Sequence, residues 1–488
     1  MKIIFTQLFL FFFILFSLRS SAQTGQQVPE LVNFDAAMLN LLNTYNVPGG
    51  QLAITYQGRL VYNRGFGVAN TSTMDPVQPD NIFRIASISK PITSIAIMQL
   101  IENGFLNLND TVFGPNGILN DSIYSTILDA RIYNITLENL LNHSGGWDRN
   151  ISGDPMFNSY VIATTMGVSP PADAVSVIRY MLANQNLNFT PGTQYQYSNF
   201  GYCILGRVIE KISGLSYEDY VRNNILLPLN ITDMRLGLNL EANRWPLEVN
   251  YYDYPGAPYA LSVYDNSTSV AWPYGGFNIE AMDAHGGWVC SASNLCKLLT
   301  VVDGFNSVPD ILLPSTINMM TTASATNSNY ALGWAVNSAN NWWHSGSLPG
   351  TETEFVRANN QMNWALFVNT RPANPAALET AIDALVWNVI PTISTWPTGD
   401  QFTGITENNS GFTISIAPNP STGLFKILSD KNIESIEITN LIGERVYQNV
   451  PDSKGLSHEV DLQSQPAGFY FVNIISGNKN YSEKIVKQ

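Results

Sequence analysis

Two periodicities alternate along most of this chain before a run of short strands takes over. Residues 51–56 and 60–68 are strand-like runs on either side of Gln57-Gly58-Arg59, which predicts a β-hairpin. Residues 92–102 form an apolar helical run that stops at Gly104; residues 202–212 repeat the pattern and stop at Gly214. Late in the chain, 330–336, 341–344 and 364–369 read as strands. Strands at both ends with helices between them predict an α+β architecture whose sheet closes late.

The pattern changes after residue 396. Pro397-Thr398-Gly399-Asp400 and the Thr, Asn, Ser and Gly that follow up to Gly411 have the composition of a linker. From Phe412 to Gln488 short alternating strands are broken by turn residues, the spacing of a small all-β sandwich. The first 22 residues are set apart as well. Lys2, the apolar run 3–16 and the small residues Ser20-Ser21-Ala22 read as a signal peptide, leaving 29–396 as the main domain.

With 488 residues, two or three domains are expected. Charged residues make up 13% of the chain, about half the usual share, against 45% hydrophobic residues, which excludes a disordered or coiled-coil protein. The net charge of −14 speaks against nucleic-acid binding, because an acidic surface is repelled by phosphate. Three cysteines (Cys203, Cys290, Cys296) allow at most one disulfide; Cys290 could pair with Cys296, or all three are buried thiols. Four histidines without H-E-x-x-H or C-x-x-C spacing give metal catalysis poor support, and no cofactor is implied.

Three stretches carry candidate chemistry. In Phe83-Arg84-Ile85-Ala86-Ser87-Ile88-Ser89-Lys90 a serine opens a helix and a lysine follows one turn later on the same face. A lysine held among apolar neighbours loses proton affinity and assists deprotonation of the hydroxyl. Ser476–Lys479 has the same spacing, but in a tail hairpin around Gly477-Asn478 with no helix to present it. Tyr197-Ser198-Asn199 opens a second helix, offering a phenol as proton shuttle and an amide to orient substrate. Tyr264–Asn266 and Tyr447–Asn449 match that triplet without a helix behind them, and Tyr195 and Tyr202 read as packing aromatics. His344-Ser345-Gly346-Ser347 ends a strand in small residues, where a substrate backbone lies close and N–H groups face a developing oxyanion. His143 and His285 also stand beside small residues and read as turns.

In order and spacing, VPGGQLAITYQGRLVYNRGFGVAN, FRIASISKPITS, LLNHSGGW, PGTQYQYSNFGY, GGWVCSASNLCKLL and WHSGSLPGTETEF resemble the class C β-lactamase-like serine hydrolases, a group that includes D-amino-acid peptidases, DD-peptidases and esterases. The resemblance covers roughly 47–389 and implies a β-lactamase/transpeptidase-like fold. It implies Ser87 as nucleophile, Lys90 as its activating partner, Tyr197 as general base and Asn199 as substrate-orienting amide. His344, Ser345 and Gly346 take the place of the family's K-T-G strand, and the backbone N–H groups of Ser87 and Ser347 form the oxyanion hole. Where β-lactamases carry a lysine, this chain has His344, which weakens the case for a substrate carboxylate at that spot. An ester or amide substrate is therefore expected ahead of a β-lactam or a DD-carboxypeptidase substrate. If His344 touches substrate, its titration should alter substrate capture between about pH 5 and 8. A reading of another class is a surface binding protein on an inactive hydrolase scaffold, suggested by the lost lysine and the aromatics between Trp245 and Trp272.

The tail resembles a second family, the C-terminal sorting domain of type IX secretion. Its marks are Ala417-Pro418-Asn419-Pro420, Thr422-Gly423, Gly443-Glu444-Arg445-Val446, Pro466-Ala467-Gly468-Phe469-Tyr470 and the final 484–487 segment. The resemblance implies the outer-membrane secretion machinery as partner, and a secreted or cell-surface location reached through the periplasm.

Overall fold

The computed structural model describes residues 23–403, 414–429, 432–440, 444–451, 456–476 and 479–487. The expected signal peptide, the linker from residue 404 and the Gly477-Asn478 turn lie outside them.

The core of the larger part is an antiparallel sheet. Its strands are β1 (Gln23–Thr24), β2 (Gly49–Tyr56), β3 (Arg59–Asn70), β4 (Ala335–Val336), β5 (Trp342–Leu348), β6 (Thr351–Ala358) and β7 (Met362–Val368), in the order β1-β3-β2-β7-β6-β5-β4, with the short strand Asp75–Pro76 pairing with the end of β3. The β2–β3 hairpin forms because Gln57 and Gly58 both take positive φ (51° and 77°), the turn whose twist matches the strands it joins. The sheet does close late: β7 pairs along the whole of β2, with Trp364 opposite Ile54 and Leu366 opposite Leu52.

Helices cover both faces, so β6 and β7 are buried throughout instead of alternating. On one face α1 (Val32–Tyr45) and α5 (Pro375–Val389) pack over Leu52, Ile54, Trp364 and Leu366. On the other, α2 (Ser89–Glu102), α3 (Asn199–Ser213) and α4 (Ala292–Leu299) share a core with Ala53, Phe355, Ala365 and Phe367. Helix α2 is apolar on nearly every side, as its sequence requires of a helix wrapped by protein. Helix α3 starts where Ser198 Oγ accepts the Gly201 N–H (3.1 Å), and ends at Gly214 with φ 73°.

Residues 330–336 are not the strand their apolar character predicts. Ala335–Val336 pairs with β5 and Tyr330 bridges back to Ala335, because Ala331 N–H donates to Trp334 O (2.8 Å) and closes a turn through Gly333, whose φ is 89°. A side chain at Gly333 would meet Ser94 and Tyr202, so burial and not strand pairing makes this segment apolar. All three cysteines are buried free thiols. The start of the expected linker lies against β3: Asp400 accepts the Leu60 N–H (2.9 Å) and Thr398 O accepts from Arg59 (2.8 Å).

The tail holds two sheets. Strands β8 (Ile414–Ala417), β9 (Leu424–Ser429) and β12 (Ser457–Asp461) form one; β10 (Ser435–Asn440), β11 (Arg445–Asn449), β13 (Gly468–Ser476) and β14 (Lys479–Lys487) form the other. Phe425, Ile427 and Val460 meet Ile436, Ile438, Val472 and Ile474 between them. Among the described residues no helix is long and apolar enough to cross a membrane.

Candidate active site

Ser87 sits on a tight turn between the strand Phe83–Arg84 and α2. Ala86 before it takes φ 50°, a conformation that costs an L-residue roughly 1–2 kcal/mol. Its neighbours hold it there: Thr351 Oγ1 and Thr353 Oγ1 donate to the carbonyls of Arg84 and Ile85 (both 3.0 Å), and Tyr251 Oη accepts the Arg84 N–H (2.8 Å). Buried Arg84 donates to Pro273 O (2.6 Å) and Leu238 O (2.9 Å), tying the 238–277 region to the same turn.

Lys90 lies one turn along, fully buried, with Nζ 3.0 Å from Ser87 Oγ and donating to His285 O at 2.9 Å. Burial lowers its pKa well below the usual lysine value; the positive charge of Arg149 adds to this, and Asp154 opposes it. From the start of α3, Tyr197 Oη donates to Ser87 Oγ at 2.8 Å. Its own pKa is raised, chiefly by burial, so the phenol keeps its proton. Asn199 is held by Asp154, whose Oδ2 accepts from Nδ2 at 2.6 Å. Ser87, Asn199, Ser347 and Arg149 line one cleft of about 350 Å³.

Strand β5 forms a wall of the site. His344 and Gly346 are buried on the face towards the Ser87 turn, and Ser345 and Ser347 are exposed on the other; of these four, Ser347 alone is among the residues lining the cleft. Gly346 is small for a reason other than substrate approach. A Cβ there would lie 2.3 Å from Ile85 O and 3.0 Å from Ala86 Cβ, so the Ser87 turn itself occupies that space. Ser347 Oγ donates to buried Glu352 (2.7 Å), whose pKa burial raises to about 8.

His344 is buried and engaged at both ring nitrogens, which opposes the titration expected of it between pH 5 and 8. The Ser198 N–H donates to His143 Nδ1 (3.2 Å), so the His143 proton is on Nε2 and points to Tyr330 Oη (3.0 Å). Tyr330 then gives its own proton to His344 Nε2 (3.2 Å), and His344 Nδ1–H donates to Ser345 O (2.6 Å). These partners assign one direction to the whole chain with both imidazoles neutral. Burial holds His344 at about 3 and holds His143 well below its usual value. A His344→Gln variant is therefore expected to show the same shape of kcat/KM against pH as the wild type between pH 5 and 8. A limb that disappears in the variant would show that the imidazole titrates there after all.

Sequence reasoning missed Tyr330, Arg149 and Asp154, and took His143 and His285 as turn residues only. His143 does occupy a left-handed turn (φ 60°), but its ring also lies 4.4 Å from that of Tyr197. His285 contributes its carbonyl to Lys90. Tyr202 packs as expected, donating to Leu141 O at 2.7 Å. Of the aromatics between Trp245 and Trp272 only Tyr251 is buried; Trp245, whose Nε1 donates to Leu236 O (2.7 Å), Tyr252, Tyr254 and Trp272 are half-buried, and Tyr259 and Tyr264 are exposed.

Residues 34–386 match the β-lactamase family. The chain belongs to that family. Residues 415–488 match the secretion system C-terminal sorting domain, which marks this β-lactamase family member as secreted or displayed at the cell surface. Protein flp of Staphylococcus aureus (strain NCTC 8325 / PS 47) is 26% identical over 216 residues, covering 44% of this chain and 39% of its own, so the chain spans about two fifths of that relative. D-amino acid amidase of Ochrobactrum anthropi SV3 shares the fold (19% identity, TM-score 0.56, 74% of this chain and 100% of its own). So does EstCE1, described as a hydrolase with promiscuous acyltransferase activity (18%, TM-score 0.56, 73% and 98%).

Proposed function

We propose that this family member is an exported serine hydrolase that cleaves an ester or amide through an acyl-enzyme on Ser87. The observation that carries this reading is the meeting of three distant segments at one hydroxyl, with Ser87 Oγ 3.0 Å from Lys90 Nζ and 2.8 Å from Tyr197 Oη. Lys90, neutral through burial, takes the Ser87 proton as Oγ bonds to the substrate carbonyl carbon. The N–H groups of Ser87 and Ser347 receive the oxyanion. The bond to the leaving group then breaks, and Tyr197 supplies that group's proton, its own being replaced from the Lys90 ammonium. Water repeats the sequence in reverse roles and frees the acid.

Asn199, fixed by Asp154, orients the acyl amide or ester. With His344 neutral and both its ring nitrogens engaged, no cation stands at the K-T-G position, which favours esterase-like or D-amino-acid-peptidase-like substrates over β-lactams. The amidase activity named for the Ochrobactrum protein is in keeping with this. Passage through the periplasm to the outer-membrane secretion machinery completes the reading, supported by the apolar segment 3–16 together with the sorting tail.

The test is chemical. The wild-type protein is treated with a fluorophosphonate, digested and mapped by mass spectrometry. The adduct is expected on the peptide carrying Ser87. No adduct, or one on another serine, overturns the reading.

A further inference from the structure

With the K-T-G cation gone, the cleft's remaining positive charge becomes informative. Two arginines line the cleft. Arg371 is already occupied: it faces Asp253 (3.6 Å) and lies over the Trp272 ring (4.8 Å). Arg149 is different. It is exposed at the start of a short helical turn, Arg149–Ser152, whose backbone is fixed by Asp148 accepting the Asn150 N–H (2.8 Å). Its guanidinium lies over the Tyr197 ring, 4.8 Å from the centroid. Among the described residues it has no carboxylate partner. The two nearby acids are used elsewhere, Asp148 as that cap and Asp154 on Asn199. Other described arginines, such as Arg59 and Arg179, also lack a carboxylate partner; what singles out Arg149 is its place in the cleft over the Tyr197 ring. Contact through the ring face leaves the planar N–H edge open, and that edge fits two carboxylate oxygens side by side.

We propose that Arg149 is an anion anchor, and that the substrates of this site carry a carboxylate within reach of it. The inference rests on the acyl-enzyme reading above, because it places the anchor beside the phenol that touches the nucleophile. It also separates this chain from a K-T-G arrangement: the open positive charge stands on Arg149, over the Tyr197 ring, and not on β5. Glu379, also lining the cleft, is an acid against which such a substrate must be oriented.

The experiment compares esters of matched size. A neutral p-nitrophenyl ester is set against mono-p-nitrophenyl glutarate, with the carboxylate on the acyl side, and against a 4-acyloxybenzoate, with it on the leaving group. For at least one carboxylate ester, kcat/KM is expected to exceed that of its neutral counterpart by about tenfold or more, an advantage that shrinks as salt is added. In Arg149→Gln the ratio is expected to fall towards one, and in Arg149→Glu to invert in favour of an ammonium-bearing ester. A loss of folding alone produces no inversion. Where ester turnover is too slow to compare, phenylboronic and 3-carboxyphenylboronic acids competing for fluorophosphonate labelling of Ser87 give the same contrast. Labelling or turnover at Ser87 with no carboxylate preference in the wild type, or a preference that Arg149→Glu leaves intact, overturns the anchor and leaves the hydrolase standing. Absence of labelling at Ser87 overturns both.

Discussion

Ser87→Ala is expected to lower kcat/KM for a p-nitrophenyl ester by about 10⁵-fold or more, and Lys90→Met by about 10³-fold or more, with the double variant little worse than Ser87→Ala. Non-additivity follows from the contact: once the hydroxyl is gone, the amine has no proton to remove. The stability outcome separates this from damage to the fold. Lys90 is fully buried, and methionine fills its path without an amine to desolvate. The sign follows from the lowered pKa. The unfolded chain binds a proton on Lys90 at any pH below about 10.5, whereas the folded site resists it, so the wild type loses stability as pH falls from that value towards the folded pKa. Lys90→Met lacks this loss, and its melting temperature relative to the wild type should rise as the pH is lowered. Activity in the wild type should rise with pH through the same folded pKa, since only the free amine accepts the Ser87 proton. A variant that keeps its activity would remove Lys90 from the mechanism.

How much of this was legible in the sequence differs from residue to residue. Ser87 and Lys90 were readable because one helical turn brings them together, and the helix was marked by its own apolar run. Tyr197 and Asn199 were readable as a loop opening a helix, though only the fold brings that helix start to Ser87. The hairpin was legible from Gln57-Gly58, since two positive φ angles define the turn locally. The 330–336 segment was not. A buried turn and a buried strand are equally apolar, and the period of two is absent in both. That ambiguity hid Tyr330, whose place between His143 and His344 depends on contacts 187 and 14 residues away in sequence. The surroundings of His344 were hidden for the same reason. Histidine identity gives a reference pKa near neutrality, but burial and two engaged ring nitrogens are properties of the fold.

Gly346→Ala should be the most damaging single methyl group that can be added to β5. Its Cβ would stand 2.3 Å from Ile85 O, 2.5 Å from Thr353 Oγ1 and 3.0 Å from Ala86 Cβ. The hydroxyl of Thr353 can rotate away, but a backbone carbonyl flanked by Ala86 at φ 50° has nowhere cheap to go. Overpacking of this kind costs roughly 1–3 kcal/mol, and the relief available is to push the nucleophile turn off the strand. A shift of about 1 Å there is enough to cost on the order of 100-fold in rate, since Ser87 must keep both Lys90 and Tyr197 in contact. The expected result is a protein that folds with a lowered melting temperature and labels with fluorophosphonate at least about 100-fold more slowly. Adding Thr353→Ala relieves one contact but removes the hydroxyl that holds the Ile85 carbonyl (3.0 Å), so it should recover neither the stability nor the labelling rate. If the double variant labels at the wild-type rate, the clash lies with the threonine alone and the nucleophile turn is not braced by Gly346.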